Sequence, residues 1–268
     1  MPEIPRFRTT KISDPRFESD NLRYLTVKTP NLKGRGNICV FVPENVVATD
    51  LPIAILLHGV YGSANSWSRQ AGAHLTAQRL IDEGKMRPMI LAMPSDGLWG
   101  DGSAYLAHNG YNFDKWIVED VVDAVKLNIP QAADSNALFI SGLSMGGFGA
   151  LKLGAKYPEK FRAIAAHSAI TSLKQMELFV EEPLTAYQQV LEKNEAVFLM
   201  LQSNQDKLPP VRFDCGKEDI LIEHNRVLHQ QLNTVGIPHV YQEFEGIHEW
   251  AYWEQHLPES LLFFEANY

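Results

Sequence analysis

The chain has 268 residues, 45% hydrophobic and 21% charged, so it is able to bury a sizeable core in one large domain or two small ones. Its net charge of −8 argues against nucleic acid and against an anionic membrane as partners, because both would repel it. The sequence contains no apolar run long enough to cross a membrane and no secretory signal pattern, so we expect a cytoplasmic protein. The two cysteines, Cys39 and Cys215, each lie in a predicted strand, which excludes a disulfide framework and a structural zinc site.

The N-terminal part of the chain predicts an arm, a hairpin and a buried strand. Residues 1–20 are polar and punctuated by prolines, which indicates a loose arm. Residues 22–28 and 37–43 alternate apolar and polar side chains around a glycine-containing turn, a pattern that predicts an antiparallel hairpin at a sheet edge. Residues 53–57 are continuously apolar, as is typical of a strand that helices cover on both faces.

A turn, a helix and a long loop follow this strand. The turn reads His58-Gly-Val-Tyr-Gly, and one helix is predicted over residues 67–83. After a second buried strand, residues 95–111 form a loop rich in glycine and aromatic residues. Loops of that length at the carboxyl end of a strand commonly wall a ligand crevice. We expect its Trp99 and Tyr105 either to line a substrate pocket or to plug the loop.

The middle of the chain holds the most informative motif. Residues 136–141 predict a buried strand, and helical periodicity begins a few residues later. The junction is Gly142-Leu-Ser-Met-Gly, which is G-x-S-x-G in the strand-to-helix context that holds a nucleophile at a sharp turn. Ser144 is thereby presented outward, and the helix that begins at Met145 directs free N–H groups towards a bound ligand. The alternative is a glycine turn for a dinucleotide or phosphate, but neither G-x-G-x-x-G nor G-x-x-x-x-G-K-[ST] occurs.

The second half of the chain continues the alternation of strand and helix. Residues 161–169 predict a strand with His167 near its carboxyl end, where we expect this histidine to have a structural or supporting role. Residues 171–210 interrupt the alternation with helical segments and predict a cap or lid, or equally an extension of the core. Two further strands and a closing helix complete the chain. The alternation predicts a single α/β domain over residues 1–268, with a mostly parallel sheet and helices on both faces.

The serine of the motif needs partners, because a serine hydroxyl is a poor nucleophile without a base and a group that orients the base. In chains with this motif the order is serine, then Asp or Glu, then histidine. Asp219 lies just after a strand and is preferred over Asp214, within the strand, and Glu218, one residue early. His248 follows the last strand in the same way. The other candidate histidines of this half lie in helices or at the wrong end of a strand: His224, His229, His239 and His256.

Two backbone amides are predicted to complete the site. The first is the N–H of Met145, directly after the nucleophile, and the second belongs to the turn that begins at His58. We assign the second donor to Val60, with Tyr61 as a close alternative. The Tyr61 side chain is also a candidate substrate contact, and the His58 ring is expected to brace the turn rather than to transfer protons.

Three segments carry a family resemblance: Gly142-Leu-Ser-Met-Gly-Gly-Phe-Gly-Ala-Leu, Cys215-Gly-Lys-Glu-Asp-Ile-Leu and Gly246-Ile-His-Glu-Trp. With them the sequence resembles the esterase D family of α/β-hydrolases over about residues 38–264. That family includes S-formylglutathione hydrolases, tributyrin-type carboxylesterases, feruloyl and acetylxylan esterases, and mycolyltransferases. The resemblance implies an α/β-hydrolase fold with a small helical cap, no metal or organic cofactor, and a possible homodimer. It also implies the triad and oxyanion hole already suggested by position: Ser144, Asp219 and His248, with Val60 and Met145.

One departure from the family pattern bears on the substrate. S-formylglutathione hydrolases carry a Ser-Gly-Leu-Thr-Cys-type turn where this chain has His58-Gly-Val-Tyr-Gly, and usually a histidine where Leu143 stands. We therefore hypothesise a serine carboxylesterase that acts on small or short-chain acyl esters. An S-formylglutathione thioester hydrolase is the alternative, and a non-enzymatic scaffold of the same fold is a further one.

Overall fold

A central sheet organises the described part of the chain, residues 6–189, 191 and 195–268 of this computed structural model. In chain order the strands are β1 (Thr10–Ile12), β2 (Leu22–Thr29), β3 (Gly34–Phe41), β4 (Ile53–Leu57), β5 (Ile90–Pro94), β6 (Ala107–His108), β7 (Tyr111–Asn112), β8 (Leu138–Gly142), β9 (Ala163–His167), β10 (Val211–Gly216) and β11 (Val240–Phe244). The sheet has nine strands in the order β1-β2-β3-β5-β4-β8-β9-β10-β11, and β6 with β7 forms a separate ribbon. The pairs from β1 to β5 are antiparallel and those from β5 to β11 are parallel. The predicted α/β fold with a mostly parallel sheet is confirmed.

Helices cover both faces of the sheet. They are α1 (Ser66–Gln70), α2 (Ala73–Asp82), α3 (Phe113–Lys115), α4 (Val122–Asn128), α5 (Met145–Lys156), α6 (Val197–Ser203), α7 (Ile222–Thr234) and α8 (Trp250–Ala266). A π-helical segment, Trp116–Val121, joins α3 to α4. The buried apolar residues form one cluster with α2 and α8, including Leu80 and Leu257, and another with α4 and α5, including Val125 and Leu151. No helix within the described ranges is both long and apolar enough to cross a bilayer.

The centre of the sheet is buried on both faces, which explains its sequence. Every residue of β4 is buried, as its unbroken apolar run predicts. Helix α5 lies against this centre, and each of its residues from Met145 to Ala155 is buried. Its many glycine and alanine residues permit a close approach to the sheet. The start of α5 is therefore held firmly at the carboxyl edge of the strands.

The structure corrects two predicted elements. The single helix expected over residues 67–83 is two helices, because Gly72 adopts a left-handed φ of +52° between α1 and α2. Strand β1 lies within the predicted loose arm, residues 1–20, and pairs antiparallel with β2. The hairpin of β2 and β3 is therefore not the outermost part of the sheet. Residues 1–5 of the predicted arm lie outside the described residues.

The segment 171–210, which the sequence predicts as a cap or a core extension, packs on the long loop that follows β5. It contains 3₁₀ turns at Leu173–Leu178 and Leu184–Tyr187, followed by α6. The Tyr187 hydroxyl donates to the Gly102 carbonyl at 2.8 Å, and a Glu182 carboxylate oxygen accepts the N–H of residue 101 at 3.1 Å. Residues 190 and 192–194 of this segment lie outside the described residues.

Candidate active site

The turn at Ser144 has a strained backbone. Ser144 has φ +53° and ψ −118°, a conformation that residues other than glycine rarely adopt. A Cβ on Gly142 would lie 2.2 Å from the carbonyl oxygen of Gly146, and a Cβ on Gly146 would lie 2.3 Å from that of Leu57. Both glycines are therefore required by close backbone packing. The Ser144 N–H donates to the His167 carbonyl at 3.0 Å, which ties the turn to the end of β9.

Three side chains meet at the carboxyl edge of the sheet. His248 Nε2 lies 3.0 Å from Ser144 Oγ. On the other side of the ring, His248 Nδ1 lies 3.0 Å from Asp219 Oδ1 and 2.9 Å from Oδ2. Asp219 follows β10 and His248 follows β11, so the parallel strands bring both beside the turn after β8. Because the His248 ring lies between the serine and the carboxylate, its Nε2 is able to take the Ser144 proton. The Asp219 carboxylate orients the ring through Nδ1.

Asp219 is buried and is held ionised. The residue is 2% exposed, and its Oδ1 also accepts the N–H of Leu221 at 2.8 Å. Burial alone would raise the pKa of this carboxyl, but the hydrogen bonds from His248 and Leu221 outweigh it and hold the pKa below its ordinary value. Asp219 therefore keeps a negative charge beside His248 Nδ1 at neutral pH, where it stabilises the protonated ring.

Two aromatic rings enclose the His248 imidazole. Phe179 stacks on it with centroids 5.3 Å apart, and Trp253 meets it edge-on at 5.0 Å. These contacts leave 17% of the His248 side chain exposed. Sequence reasoning missed both rings. No spacing rule identifies which apolar residue of the 171–210 segment faces the site. For Trp253 a signal existed, because this residue lies in the first turn of α8, shortly after His248.

Two backbone N–H groups beside Ser144 are free to bind an oxyanion. Neither the Val60 nor the Met145 amide has an acceptor within the part of the chain that the structure describes. The Tyr61 N–H, in contrast, donates to the Asp101 carbonyl at 2.8 Å, so the alternative donor is already occupied. The turn that carries Val60 passes close to Ser144, since a Cβ on the preceding glycine would lie 3.3 Å from Ser144 Cβ.

His58 lies in the bracing position that the sequence predicts. Its Nδ1 is 2.6 Å from the Gly59 carbonyl oxygen, and its Nε2 accepts the N–H of Asp96 at 3.1 Å. This network assigns the ring proton to Nδ1. Both ring nitrogens are thus occupied, and the residue is buried. The ring therefore holds the turn and the loop after β5 together, and it has no free nitrogen for proton transfer to a substrate.

The three predicted substrate contacts differ in their placement. Tyr105 is completely buried and donates its hydroxyl to a main-chain carbonyl at 3.0 Å, so it plugs the loop rather than lining a pocket. Trp99 is half-buried and packs edge-on against His108 and Tyr187, with centroids 4.6 Å and 5.2 Å away. Tyr61 is 68% exposed, and its ring therefore offers an open face at the turn that begins at His58.

Asp214 and three of the other histidines are bonded away from Ser144. His167 Nδ1 lies 3.0 Å from Asp214 Oδ1, and both residues are fully buried. His229 Nδ1 lies 2.8 Å from His239 Nε2.

Within the described ranges, no group of three or more His, Cys, Asp or Glu side chains is arranged to hold a metal ion.

Comparison with known proteins identifies relatives along most of the chain. Residues 29–264 match the family model "Esterase: Putative esterase". The chain is 26% identical over 235 residues to an acetyl esterase from Caldicellulosiruptor saccharolyticus, a match that covers 81% of this chain and 84% of the relative. It is 23% identical over 273 residues to esterase Rv1288 of Mycobacterium tuberculosis, a match that covers 89% of this chain and 58% of that longer protein.

Solved structures share the same architecture. A ferulic acid esterase superposes with a TM-score of 0.79 at 21% identity, and the match covers 97% of this chain and 99% of that one. An S-formylglutathione hydrolase from Staphylococcus aureus superposes with a TM-score of 0.76 at 21% identity, over 91% of this chain and 98% of that one. These likenesses demonstrate a common fold.

Proposed function

The chain belongs to this esterase family of α/β-hydrolases, and from that premise we propose that it hydrolyses small or short-chain acyl esters through an acyl-enzyme on Ser144. As a family member it is a carboxylic ester hydrolase of the serine type. The alternative of a non-enzymatic scaffold is therefore excluded. The observation that carries the proposal is the continuous series of hydrogen bonds from Ser144 through His248 to Asp219, beside two unoccupied amides.

In the acylation step, His248 Nε2 takes the proton of Ser144 Oγ while Oγ attacks the ester carbonyl carbon. A carbon–oxygen bond forms, the carbonyl electrons move onto oxygen, and the N–H groups of Val60 and Met145 stabilise the oxyanion. Collapse of the intermediate breaks the bond to the alcohol oxygen, which receives the proton from His248. Asp219 stays ionised throughout and stabilises the imidazolium.

Deacylation repeats these steps with water as the nucleophile. His248 takes a proton from water, and the hydroxyl oxygen attacks the acyl carbon bound to Ser144. The same two amides hold the second oxyanion. The bond to Oγ then breaks, and His248 returns the proton to the serine, so the free acid leaves and the enzyme is restored.

Steric features support a small acyl group. Ser144 is only 2% exposed, and Phe179 lies over His248, so little room surrounds the reacting atoms. We treat residues 171–210 as the cap that supplies this wall, within a single domain over residues 1–268. A homodimer, implied by the family resemblance, stays a prediction.

S-formylglutathione is the alternative substrate, because a hydrolase for that thioester has the same fold. Charge weighs against it. The pKa of the Tyr61 phenol is raised by partial burial and by the nearby carboxylates of Asp101, Glu181 and Glu182. Glutathione is an anion at neutral pH, so this acidic surface beside the oxyanion turn would repel the thioester. Leu143, at a position where those hydrolases usually carry histidine, points the same way.

Steady-state hydrolysis of p-nitrophenyl esters from acetate to octanoate, with S-formylglutathione in parallel, tests the substrate class. We expect the highest kcat/KM for short oxygen esters. The variant Glu181→Gln serves as a matched probe of charge, because it should raise kcat/KM for the anionic thioester and leave that for neutral p-nitrophenyl acetate unchanged. A strong preference of the native enzyme for S-formylglutathione would select the alternative.

A further inference from the structure

A second series of serine, histidine and aspartate lies behind the active site. His167 Nε2 is 2.8 Å from Ser260 Oγ, and its Nδ1 is 3.0 Å from Asp214 Oδ1. All three residues are 0% exposed. Arg212 donates to Asp214 Oδ2 at 2.7 Å and to Ser260 Oγ at 3.2 Å. The series therefore joins β9, β10 and α8 through buried polar groups, and we call it the buried network.

The buried network is not a second active site. Ser260 lies in the interior of α8, where the backbone N–H groups are used by the helix. Its hydroxyl has no access to solvent, so no ester is able to reach it. The negative charge of Asp214 is matched by Arg212, as a buried carboxylate requires. A network of this kind, in which each member is bonded, fixes the elements that it joins.

One side of the buried network reaches the nucleophile. His167 is the last residue of β9, and its carbonyl oxygen accepts the N–H of Ser144 at 3.0 Å. The Asp214 carbonyl also accepts the N–H of Ser168 at 2.7 Å. The Asp214 carboxylate therefore fixes the ring of His167, and the Asp214 carbonyl fixes the backbone of Ser168. The His167 carbonyl in turn fixes the strained turn at Ser144.

The other side of the buried network reaches the histidine loop. The Tyr252 hydroxyl donates to Asp214 Oδ1 at 2.9 Å. Tyr252 is buried, and its ring lies against Gly246, where a Cβ would fall 2.7 Å from Tyr252 Cδ2. Gly246 has a φ of +136° and begins the turn that presents His248. The tyrosine therefore supports this turn from below.

We propose that Asp214 is a positioning residue for the reaction: it holds the Ser144 turn through His167 and the His248 turn through Tyr252. It thereby sets the distance between Ser144 Oγ and His248 Nε2. This inference rests on the function proposed above, because that distance matters only if the serine reacts. A displacement of reacting groups by about 1 Å is able to cost on the order of 100-fold in rate.

The ionisation of Asp214 suits this role. Burial alone would raise the pKa of Asp214, but its contacts with His167, Arg212 and Tyr252 hold the pKa below the ordinary value. The carboxylate is therefore charged at neutral pH and accepts hydrogen bonds on both oxygens at once. A neutral amide at this position would lose one acceptor and would leave Arg212 uncompensated.

Tyr252→Phe tests the arm that leads to His248, because it removes one hydroxyl and keeps the ring against Gly246. Tyr241→Phe is the matched control: its hydroxyl donates to Glu243, also at 2.9 Å, and the residue lies at the far end of β11 from the histidine turn. We expect Tyr252→Phe to lower kcat for p-nitrophenyl acetate about tenfold with KM unchanged. The control should keep kcat within about twofold even where its melting temperature falls equally.

Labelling of Ser144 by a fluorophosphonate probe gives a second readout that does not depend on the ester. It should slow in Tyr252→Phe and in Asp214→Asn but not in Tyr241→Phe. The double variant Asp214→Asn with Tyr252→Phe should lose no more than Asp214→Asn alone, because both changes act through one carboxylate. Should Asp214→Asn not fold, the two tyrosine variants decide the question.

Two results would overturn the inference. One is equal kcat in Tyr252→Phe and Tyr241→Phe, which would make the hydrogen bond purely structural. The other is full additivity in the double variant. A native enzyme that neither hydrolyses esters nor reacts with the probe would instead overturn the proposed function, and this inference with it.

Discussion

The proposed catalytic triad and the buried network contain the same three residue types in the same bonding order. The Nε2–Oγ distance is 3.0 Å from His248 to Ser144 and 2.8 Å from His167 to Ser260. The shorter Nδ1–carboxylate distance is 2.9 Å in both. Their surroundings differ, since the His248 side chain is 17% exposed and the His167 side chain is 0% exposed.

The backbone around each serine differs even more. Ser144 stands at a strained turn directly before α5, with two unoccupied amides beside it. Ser260 lies within α8, surrounded by helix. The comparison teaches that the distances among serine, histidine and carboxylate do not by themselves make a nucleophile. The additional requirements are a sharp turn that places Oγ at the carboxyl edge of the sheet, N–H donors without an acceptor beside it, and a histidine that solvent is able to reach.

Removal of each serine hydroxyl gives the largest expected contrast. Ser144→Ala should lower kcat by about 10⁴- to 10⁶-fold, because no other group forms the acyl-enzyme. Ser260→Ala should lower kcat by less than about tenfold and should instead cost about 1–3 kcal/mol of unfolding free energy, since a buried nitrogen of His167 loses its partner. Steady-state kinetics and urea unfolding of both variants provide the measurement. Near-normal turnover by Ser144→Ala would remove the basis of the comparison.

The free amides are the next feature to test. Val60 occupies the second position of a β-turn closed by the Gly62 N–H and the Gly59 carbonyl at 3.3 Å, with Tyr61 left-handed at φ +58°. Proline is favoured at that position of such a turn, so Val60→Pro should remove the N–H and keep the turn. We expect a loss of about 10²- to 10³-fold in kcat.

Val60→Ala is the control for this prediction, because it shortens the side chain and keeps the amide. Its kcat should stay within a few-fold of the native value. Crystallography or a fluorophosphonate titration would verify that Val60→Pro retains the Ser144 geometry. If proline and alanine have the same small effect, the Val60 amide is not an oxyanion donor.

A smaller effect concerns what the two sites share, namely a carboxylate with a lowered pKa. The pKa values of Asp219 and Asp214 both lie below the ordinary value. Burial raises each pKa, but the hydrogen bonds and charges of the bonded partners lower it by more. Each therefore stabilises the fold fully above the ordinary aspartate pKa of about 3.9, and this stabilisation is lost as pH falls through the lowered values. Unfolding free energy should therefore drop in acid, below about pH 4.

Urea unfolding at a series of acidic pH values measures this loss. Asp219→Asn and Asp214→Asn should each make the dependence of unfolding free energy on pH shallower in that window, because one proton fewer is taken up on unfolding. Ser260→Ala removes no titrating group and should keep the native slope. An unchanged slope in either asparagine variant would mean that its carboxyl does not couple to folding.

The proximity of the three proposed triad residues was predictable because they obey a positional rule. Ser144, Asp219 and His248 each follow a strand, and the carboxyl ends of parallel strands share one edge of the sheet. The alternation of apolar strands and helices likewise identified the α/β fold, because each pattern has its own period. The Val60 and Met145 amides were proposed as oxyanion donors by a similar rule, since one lies in the turn that follows β4 and the other begins α5 at that edge.

The buried network was not predictable in the same way. His167 was recognisable as a polar residue near a strand end and Asp214 as one within a strand, but sequence patterns do not say which residue of α8 packs against them. The Tyr252 contact spans 38 positions, and it depends on how the last helix docks on the sheet. Tyr105 illustrates the same limit, because a loop aromatic has no period that distinguishes a buried plug from a pocket wall.

The left-handed backbone at Ser144 also determines which inactive variant of this protein has the highest melting temperature. An L-residue in such a conformation carries about 1–3 kcal/mol of strain, which glycine does not. Ser144→Gly should therefore melt at a higher temperature than the native chain, whereas Ser144→Ala, which keeps a Cβ, should not. Selection for thermal stability alone would therefore favour an inactive protein. The Ser144→Gly variant is the form to use for capturing a complex with an uncleaved ester.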